Sequence, residues 1–563
     1  MEFPIGIDDF QKVRKGGYSF VDKSLFIKEI MQNGAEVLLI TRPRRFGKTL
    51  NLSMLYYFLS NNYFGNENLF EGLGITKDEE FCNTHQHQYP AIFITFKDVK
   101  EPNFQEASER IEGLIKELYI EHRYLLEGDV LYPEEKVTYM ALLNKAGSLD
   151  DLKSSIKLLS SYLERKFEKK PIILIDEYDT PIQEAYLKEY YSDMVSLMRG
   201  LFGSALKGNK SLEKAIITGI TRVAQESLFS GLNNFRVYSV LQKKYGQYFG
   251  FSEKEVLKLI SDSEQTISIE PIKEWYNGYQ IGQYTLYNPW SIINCLTDKG
   301  ELKPYWRNTS SNDLIKKLLD NADTSIKTQF EQLLQGLIVE RPISENLVFP
   351  DIEKREEALW SLLLYAGYLK VLSSRVSGFE TLAQLAIPNK EVSSVYEGII
   401  AQWFSQGMTL DSYKRFVRSL MDGNVVEFKK ELSDYIMGTV SYFDLGKNRP
   451  EEVFHMFLVG LVMGFKDDYI IQSNRESGLG RVDVMFIPKD KKRRGILLEF
   501  KTSATIELLL EKAQEALKQI KDRKYKETFK QHNISSVLAI GLAFCGKQME
   551  LVHENISICG ADT

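Results

Sequence analysis

Cysteine is scarce and scattered: Cys82, Cys295, Cys545 and Cys559 are the only four in 563 residues, and no two form a CxxC pair. That spacing suggests neither a disulfide framework nor a cysteine zinc site, and the four read as ordinary thiols. Cys82 with His85 and His87 is the one grouping that invites a metal, and a polar surface loop explains it better. Long apolar runs are also missing. None approaches the roughly 18 to 20 residues that span a bilayer, and the opening MEFPIGIDDF has acids where a secretion signal needs a basic start and an apolar run. The expectation is a cytoplasmic chain with no membrane partner. There is no surplus of positive charge: 71 Lys and Arg stand against 77 Asp and Glu, for a net charge of -6. This argues against a protein coated in basic surface for bulk nucleic-acid binding, while leaving room for local basic patches. Internal repeats, low-complexity segments and long flexible linkers are absent as well.

What is present is the balance of a protein able to bury full-sized cores, 43% hydrophobic and 26% charged. The length exceeds one core and, at about one domain per 100 to 200 residues, predicts three or four modules. Residues 1–235 alternate short apolar runs with amphipathic helical stretches, the rhythm of a mostly parallel sheet covered by helices. Four buried strands are predicted, at Val37–Ile40, Ala91–Ile94, Ile172–Ile175 and Ala215–Ile217. Residues 236–440 read as predominantly helical, a lid or winged-helix-like region with aromatic clusters at Trp275–Tyr279 and Tyr287–Trp290 and little recognisable chemistry. Residues 441–563 give a helix (451–464), a hairpin of strands (481–487 and 495–500) around a basic turn, and a helix over 506–522. The fold class is therefore α/β, with a helical lid or winged-helix-like region between a mostly parallel sheet domain and a C-terminal α/β domain.

Thr41-Arg42-Pro43-Arg44-Arg45-Phe46-Gly47-Lys48-Thr49 lies between the first strand and a helix, where a phosphate-binding loop must sit. Backbone amides at the helix start would surround phosphates with help from Arg45 and Gly47, Lys48 would reach the β and γ oxygens, and the Thr49 hydroxyl would hold Mg²⁺. Arg42 stands where the usual pattern has its first glycine, and Pro43 removes an amide donor. A basic turn capping a helix is the plainer alternative. The strand Ile172–Ile175 delivers Asp176 and Glu177 at its C-terminal end, where open α/β sheets bind ligands. There Asp176 would hold magnesium and Glu177 would activate the attacking water of an ATPase. The third such strand ends in Thr218-Gly219-Ile220-Thr221-Arg222, so Arg222 either meets the γ-phosphate or forms a structural ion pair.

In the tail, alternation puts Arg481, Asp483 and Met485 on one strand face, and Glu499 and Lys501 share a face of the next. Two carboxylates, Asp483 and Glu499, could hold a divalent metal, Mg²⁺ or Mn²⁺, while the Lys501 ammonium supports a water nucleophile. Taken alone the pattern is weak, since many solvated hairpins match it. The basic tip Lys491-Lys492-Arg493-Arg494 either touches phosphates of a nucleic acid or is a solvated turn.

The segments Ile5–Phe10, Tyr18–Ser24, Arg42–Thr49, Ile175–Asp179 and Trp275–Tyr279 together resemble the bacterial AAA-ATPase-like family commonly fused to a PD-(D/E)XK nuclease-like domain, over nearly the whole chain. The resemblance implies a P-loop NTPase followed by a restriction-endonuclease-like α/β domain, with ATP and Mg²⁺ as cofactors and nucleic acid, DNA first, as partner. It makes the arginine-rich loop a family trait. It also assigns an active-site acid to the helix before the hairpin, Glu451 in preference to Glu452, where acids also simply complement the helix dipole. Gln519 corresponds to a polar residue of the helix after the hairpin. Two other readings remain: a nucleotide-dependent switch whose tail binds without cutting, and an ATPase that remodels a partner docked on the tail. An oligomer is compatible with Arg222 or an arginine of the loop acting across a ring interface.

Overall fold

The computed structural model describes residues 2–63, 67–223, 235–263, 265–308, 324–334, 336–345, 349–352, 355–378, 380–396, 410–439, 465, 468–473, 476–477, 480–481, 484–503, 505–522, 525–545 and 548–558. By packing, the chain divides into two compact units, 1–318 with 340–392, and 319–339 with 393–563.

The first unit is built on a five-stranded sheet of β1 (Val37–Thr41), β2 (Ala91–Thr95), β3 (Ile172–Asp176), β4 (Lys214–Gly219) and β5 (Phe235–Tyr238), in the order β2-β3-β4-β1-β5. Every pairing is parallel. All four strands read from the sequence are there, because a parallel sheet covered on both faces demands near-continuous apolar runs. β1, β3 and β4 are buried at every residue. The short edge strand β5 escaped the reading because its FRVY is only half-buried. Helix α1 (Lys48–Leu59) packs against the sheet and is buried on nearly every side, which is why its apolar residues show no one-sided stripe. Helices Phe104–Glu121 and Leu149–Phe167 lie between β2 and β3, and α2 (Thr180–Leu187) follows β3.

Among its described residues the stretch after β5 is predominantly helical, as its sequence suggests, but it is not helical alone. Two antiparallel ladders occur there, β6 (Asn277–Ile281) with β7 (Tyr284–Tyr287), and β8 (Val339–Ile343), β9 (Lys370–Ser377) and β10 (Glu380–Ala386) in the order β8-β10-β9. Helix α3 (Pro289–Thr297) starts one residue after Asn288, whose side chain caps it through the Trp290 amide.

The second unit holds a mixed sheet of β11 (Tyr469–Ser473), β12 (Val484–Pro488), β13 (Gly495–Thr502), β14 (Ser536–Cys545) and β15 (Gln548–Ser557), paired in that order. Only β13 and β14 run parallel, and α4 (Leu509–Asp522) supplies the crossover that parallel strands require. Of the strand expected over 481–487, Val484–Ile487 lies in β12, and Arg481 pairs with Glu476 in the same register as the β11–β12 ladder; residues 482 and 483 lie outside the described residues. The helix expected over 451–464 lies outside the described residues. Gly541 of β14 sits where a Cβ would come within 2.3 Å of the Ala513 carbonyl oxygen and 2.6 Å of the Leu517 nitrogen. Its missing side chain lets the backbone of α4 rest on the strand, beside the Gly541–Glu499 register pair.

Candidate functional site

The loop from β1 to α1 turns through two left-handed residues, Arg45 (φ 66°) and Gly47 (φ 80°). Gly47 caps α1 with no side-chain hydrogen bond, and the first helical bond runs from the Asn51 amide to the Gly47 carbonyl at 3.0 Å. The amides of Lys48, Thr49 and Leu50 thus precede the helical ladder, the arrangement suited to an anion. Arg44, Arg45, Gly47, Lys48 and Thr49 line a cavity of about 520 Å³, together with Glu177.

Arg42 explains the departure from the usual loop pattern. Its side chain is fully buried and donates to the carbonyls of Thr41 (2.7 Å) and Tyr238 (2.8 Å), with the guanidinium 5.1 Å from the Phe249 ring centre. Burial pushes its pKa down to about 9. Arg42 is a strut between the loop and the end of β5, so the suggestion of a loop arginine acting across a ring does not extend to it. Arg45 instead lies over the Trp290 ring at 4.4 Å, its pKa lowered by burial and raised in part by Asp8 and Glu177.

The aromatic clusters that carried no visible chemistry in the sequence hold this loop. Tyr279 meets Phe46 edge-on at 5.0 Å, and the Asn288 amide donates to the Arg44 carbonyl at 3.4 Å. A Cβ on Gly250 would come 3.1 Å from the Phe46 ring. The available signal was aromatic residues flanking Asn-Gly and Asn-Pro turns, which periodicity does not register.

Next to Trp290, Ser291 of α3 donates to the buried carboxylate of Glu391 at 2.7 Å, and the Trp306 amide donates to it at 3.0 Å. Burial pushes this carboxyl up to about 7 against those two hydrogen bonds. The folded chain therefore keeps a proton that the unfolded chain has already released, so stability falls as pH rises from the ordinary carboxylate range towards 7 and stays lower above it. Glu391→Gln keeps an acceptor for Trp306 and gives Ser291 a donor. It should leave the urea midpoint of the first unit unchanged at pH 4 and raise stability at pH 8 by up to about 3 kcal/mol. An equal effect at both pH values would refute the assignment.

At the end of β3, Asp176 is fully buried and accepts from three threonine hydroxyls: Thr218 (2.7 Å), Thr49 (2.8 Å) and Thr95 (3.2 Å). Burial and the neighbouring Glu177 charge push its carboxyl up to about 6, although the Thr218 and Thr49 hydroxyls pull it down. Glu177 adopts a left-handed conformation (φ 52°), unusual for a residue with a side chain, and faces the cavity with Oε1 3.2 Å from Lys48 Nζ. The Lys48 ammonium also donates to the carbonyls of Arg42 (3.2 Å) and Pro43 (3.1 Å). Thr49 and Glu177 line the cavity, and Asp176 lies buried behind Thr49 and is not part of the wall; hydroxyl and carboxylate oxygens of this kind are the hard donor set that magnesium takes. Arg222 lies on the turn after β4 but is not part of the cavity wall, whereas Ile220 is. Cys82, His85 and His87 bond separately, to the Ile75 carbonyl, the Tyr89 hydroxyl and the Ser60 carbonyl.

In the second unit Glu499 is 3% exposed on β13, with Lys501 two residues on and half-buried. Leu497, on the same strand face, packs into the core with Met485 and with Ile520 of α4. β12 and β13 are in register as Val484↔Leu498 and Met485↔Leu497. Asp483 and Glu451 lie outside the described residues. Among the described residues, no three His, Cys, Asp or Glu side chains group as a metal centre. Gln519 is half-buried at the flank of the α4 stripe formed by Leu509, Ala513, Ala516 and Ile520. At the basic tip Arg493 pairs with Asp468 at 3.0 Å, while Lys491 and Lys492 are exposed.

Comparison with known proteins agrees with this division. Residues 4–229 match the family model described as a predicted AAA-ATPase, and residues 449–554 match the PD-(D/E)XK nuclease superfamily. An uncharacterized protein in the vnfD 5′ region of Azotobacter chroococcum mcd 1 is 25% identical over 542 residues, 94% of each chain. The solved Walker-type ATPase of Pyrococcus abyssi aligns with 70% of this chain and 98% of its own at 13% identity, with a TM-score of 0.29. No helix among the described residues is long and apolar enough to cross a membrane. The chain therefore joins an AAA-ATPase-like domain to a domain of the PD-(D/E)XK nuclease superfamily.

Proposed function

We propose that the chain binds and hydrolyses ATP in the first unit and couples this to metal-dependent cleavage of nucleic acid, DNA first, by the second. The observation that carries the ATPase reading is the convergence of Lys48 and Glu177 (3.2 Å) with Thr49 and Asp176 (2.8 Å) at one end of the parallel sheet, where the cavity opens. Lys48, Arg45 and the amides after Gly47 take the phosphate charge, and Glu177 orients the attacking water and accepts its proton. Thr49 and Asp176 would hold Mg²⁺, which when bound adds positive charge at the phosphoryl oxygens. Arg222, on the turn beside the site, acts on the γ-phosphate after a movement of that turn.

The nuclease reading rests on the superfamily match and on the buried Glu499 with Lys501 on one strand face. In it Glu499 and Asp483 form the acid pair for Mg²⁺ or Mn²⁺, Lys501 supports the water nucleophile, and Glu451 is a further acid of the site. A division into domains 1–235, 236–440 and 441–563, a cytoplasmic setting in a bacterium, assembly into an oligomer, and a role in defence or mobile-element maintenance belong to the same proposal.

The test incubates the full chain with labelled single- and double-stranded DNA and RNA, Mg²⁺ or Mn²⁺, with and without ATP, beside Asp483→Ala and Glu499→Gln. Cleavage by the parent chain that is lost in both variants is the expected result, by a factor of at least about 10². ATP turnover without cleavage of any substrate would replace the nuclease reading by that of a nucleotide-dependent switch.

A further inference from the structure

On the reading that the cavity hydrolyses ATP, we infer that Gln183 and Asp179 are positioning residues, a relay that ties the phosphate loop to the turn after β4. The relay is a continuous chain of hydrogen bonds. Arg44 Nη2 donates to Gln183 Oε1 at 3.3 Å, and Gln183 Nε2 donates to Asp179 Oδ2 at 2.9 Å. That oxygen also accepts from the Thr221 amide (2.8 Å), the Thr221 hydroxyl (2.9 Å) and the Ile220 amide (3.0 Å).

Asp179 is the N-cap of α2, a place where an aspartate ordinarily uses its carboxylate to cap the helix, yet it makes no side-chain cap here. Its carboxylate is turned to the β4 turn instead. The neighbouring Tyr178 donates its hydroxyl to the Thr221 carbonyl at 2.8 Å and accepts from the Val223 amide at 3.0 Å. A Cβ on Gly219 would come 2.6 Å from Asp179 Oδ1 and 2.7 Å from the Tyr178 ring, so the turn lies flush against both residues. Residues 219–223 are thereby fastened to the segment that directly follows Asp176 and Glu177.

The polarity of the chain is fixed by its ends. Arg44 can only donate, and Asp179 Oδ2 already accepts from two amides and a hydroxyl, so the Gln183 amide has one satisfying orientation between them. Gln183 and Ile220 both line the cavity. A nucleotide phosphate that draws Arg44 away from Gln183 Oε1 alters the same chain that holds the turn carrying Ile220, Thr221 and Arg222. The relay thus joins occupancy of the loop to the placement of the turn.

The prediction separates the acceptor role of Asp179 from the link through Gln183. Gln183→Leu removes both hydrogen bonds of the relay, and Gln183→Glu keeps an acceptor for Arg44 but sets a second carboxylate against Asp179 Oδ2. Asp179→Asn can keep its side-chain oxygen in the place of Oδ2, where it still accepts from Gln183 and from the turn. Each change at Gln183 should lower kcat for ATP hydrolysis about tenfold with KM within about threefold, and Asp179→Asn should keep kcat within about threefold of the parent chain.

Unaffected variants at Gln183, a change in KM alone, or an Asp179→Asn variant that loses as much kcat as they do would overturn the relay. Where one of the two Gln183 variants does not fold, the other decides: lowered kcat at unchanged KM supports the relay, and parental turnover overturns it. A parent chain whose ATP turnover is absent, or is untouched by Lys48→Ala, defeats the reading of the cavity itself and the relay with it. Lys48-dependent turnover with indifferent relay variants defeats the relay alone.

Discussion

Lys48→Ala is expected to lower kcat/KM for ATP hydrolysis by about 10²–10³-fold, the usual consequence of removing one charged donor from a developing phosphoryl anion. The side chain is 2% exposed, and its ammonium is spanned by the carbonyls of Arg42 and Pro43 and the carboxylate of Glu177. In the absence of phosphate the loop's own oxygens keep this charge in place, so Lys48 needs little rearrangement to meet a ligand. Alanine removes the charge and also leaves Glu177 without that partner. Both effects act on the same step, so the loss should appear in turnover and in nucleotide affinity. A colorimetric phosphate assay beside an ATP titration separates the two, and turnover within threefold of the parent would remove Lys48 from the mechanism.

Glu177→Gln is expected to act differently. A positioned general base contributes about 10²–10⁴-fold, so kcat should fall by that order. Binding should hold or tighten, because the exchange removes the carboxylate that competes with phosphate for Lys48 at 3.2 Å. Glutamine is close to isosteric, and the left-handed backbone at this position (φ 52°) is no harder for it to adopt than for glutamate. The expected outcome is a chain that retains ATP without turning it over. Weakened ATP binding with kcat preserved would show that Glu177 serves the ground state.

The strands of the first unit were legible because burial on both faces leaves its mark directly in composition: VLLIT and IILID admit few other readings. Lys48, Thr49, Asp176 and Glu177 were legible for a related reason, since strand ends in such a sheet point to one edge. The contacts that brace this edge were not. Tyr279, Asn288 and Trp290 reach the loop from more than 200 residues away, through one edge-on ring contact, one amide bond and one cation–ring contact. No local spacing encodes such pairings. Asp179 was hidden differently, because at the start of a helix an aspartate already has a sufficient local explanation. Arg222 shows the opposite limit: a correct strand end put it near the site, but its place outside the cavity wall depends on side-chain packing. The tail hairpin was legible in its second strand, in its first strand from Val484 on and in the helix that follows, because alternation around a basic turn marks them locally.

The strut at Arg42 bears on the entropy of binding. A phosphate loop that is free before its ligand arrives must be ordered on arrival, and each residue fixed then subtracts about 1–2 kcal/mol from affinity. Here Arg42 is pinned at one end and Gly47 leads directly into a buried helix at the other. Between them, proline fixes its own φ, Arg44 is hydrogen-bonded, Arg45 rests on an indole and Phe46 is packed against Tyr279. That ordering takes place when the chain folds, and the nucleotide meets a loop with little conformational freedom left to lose.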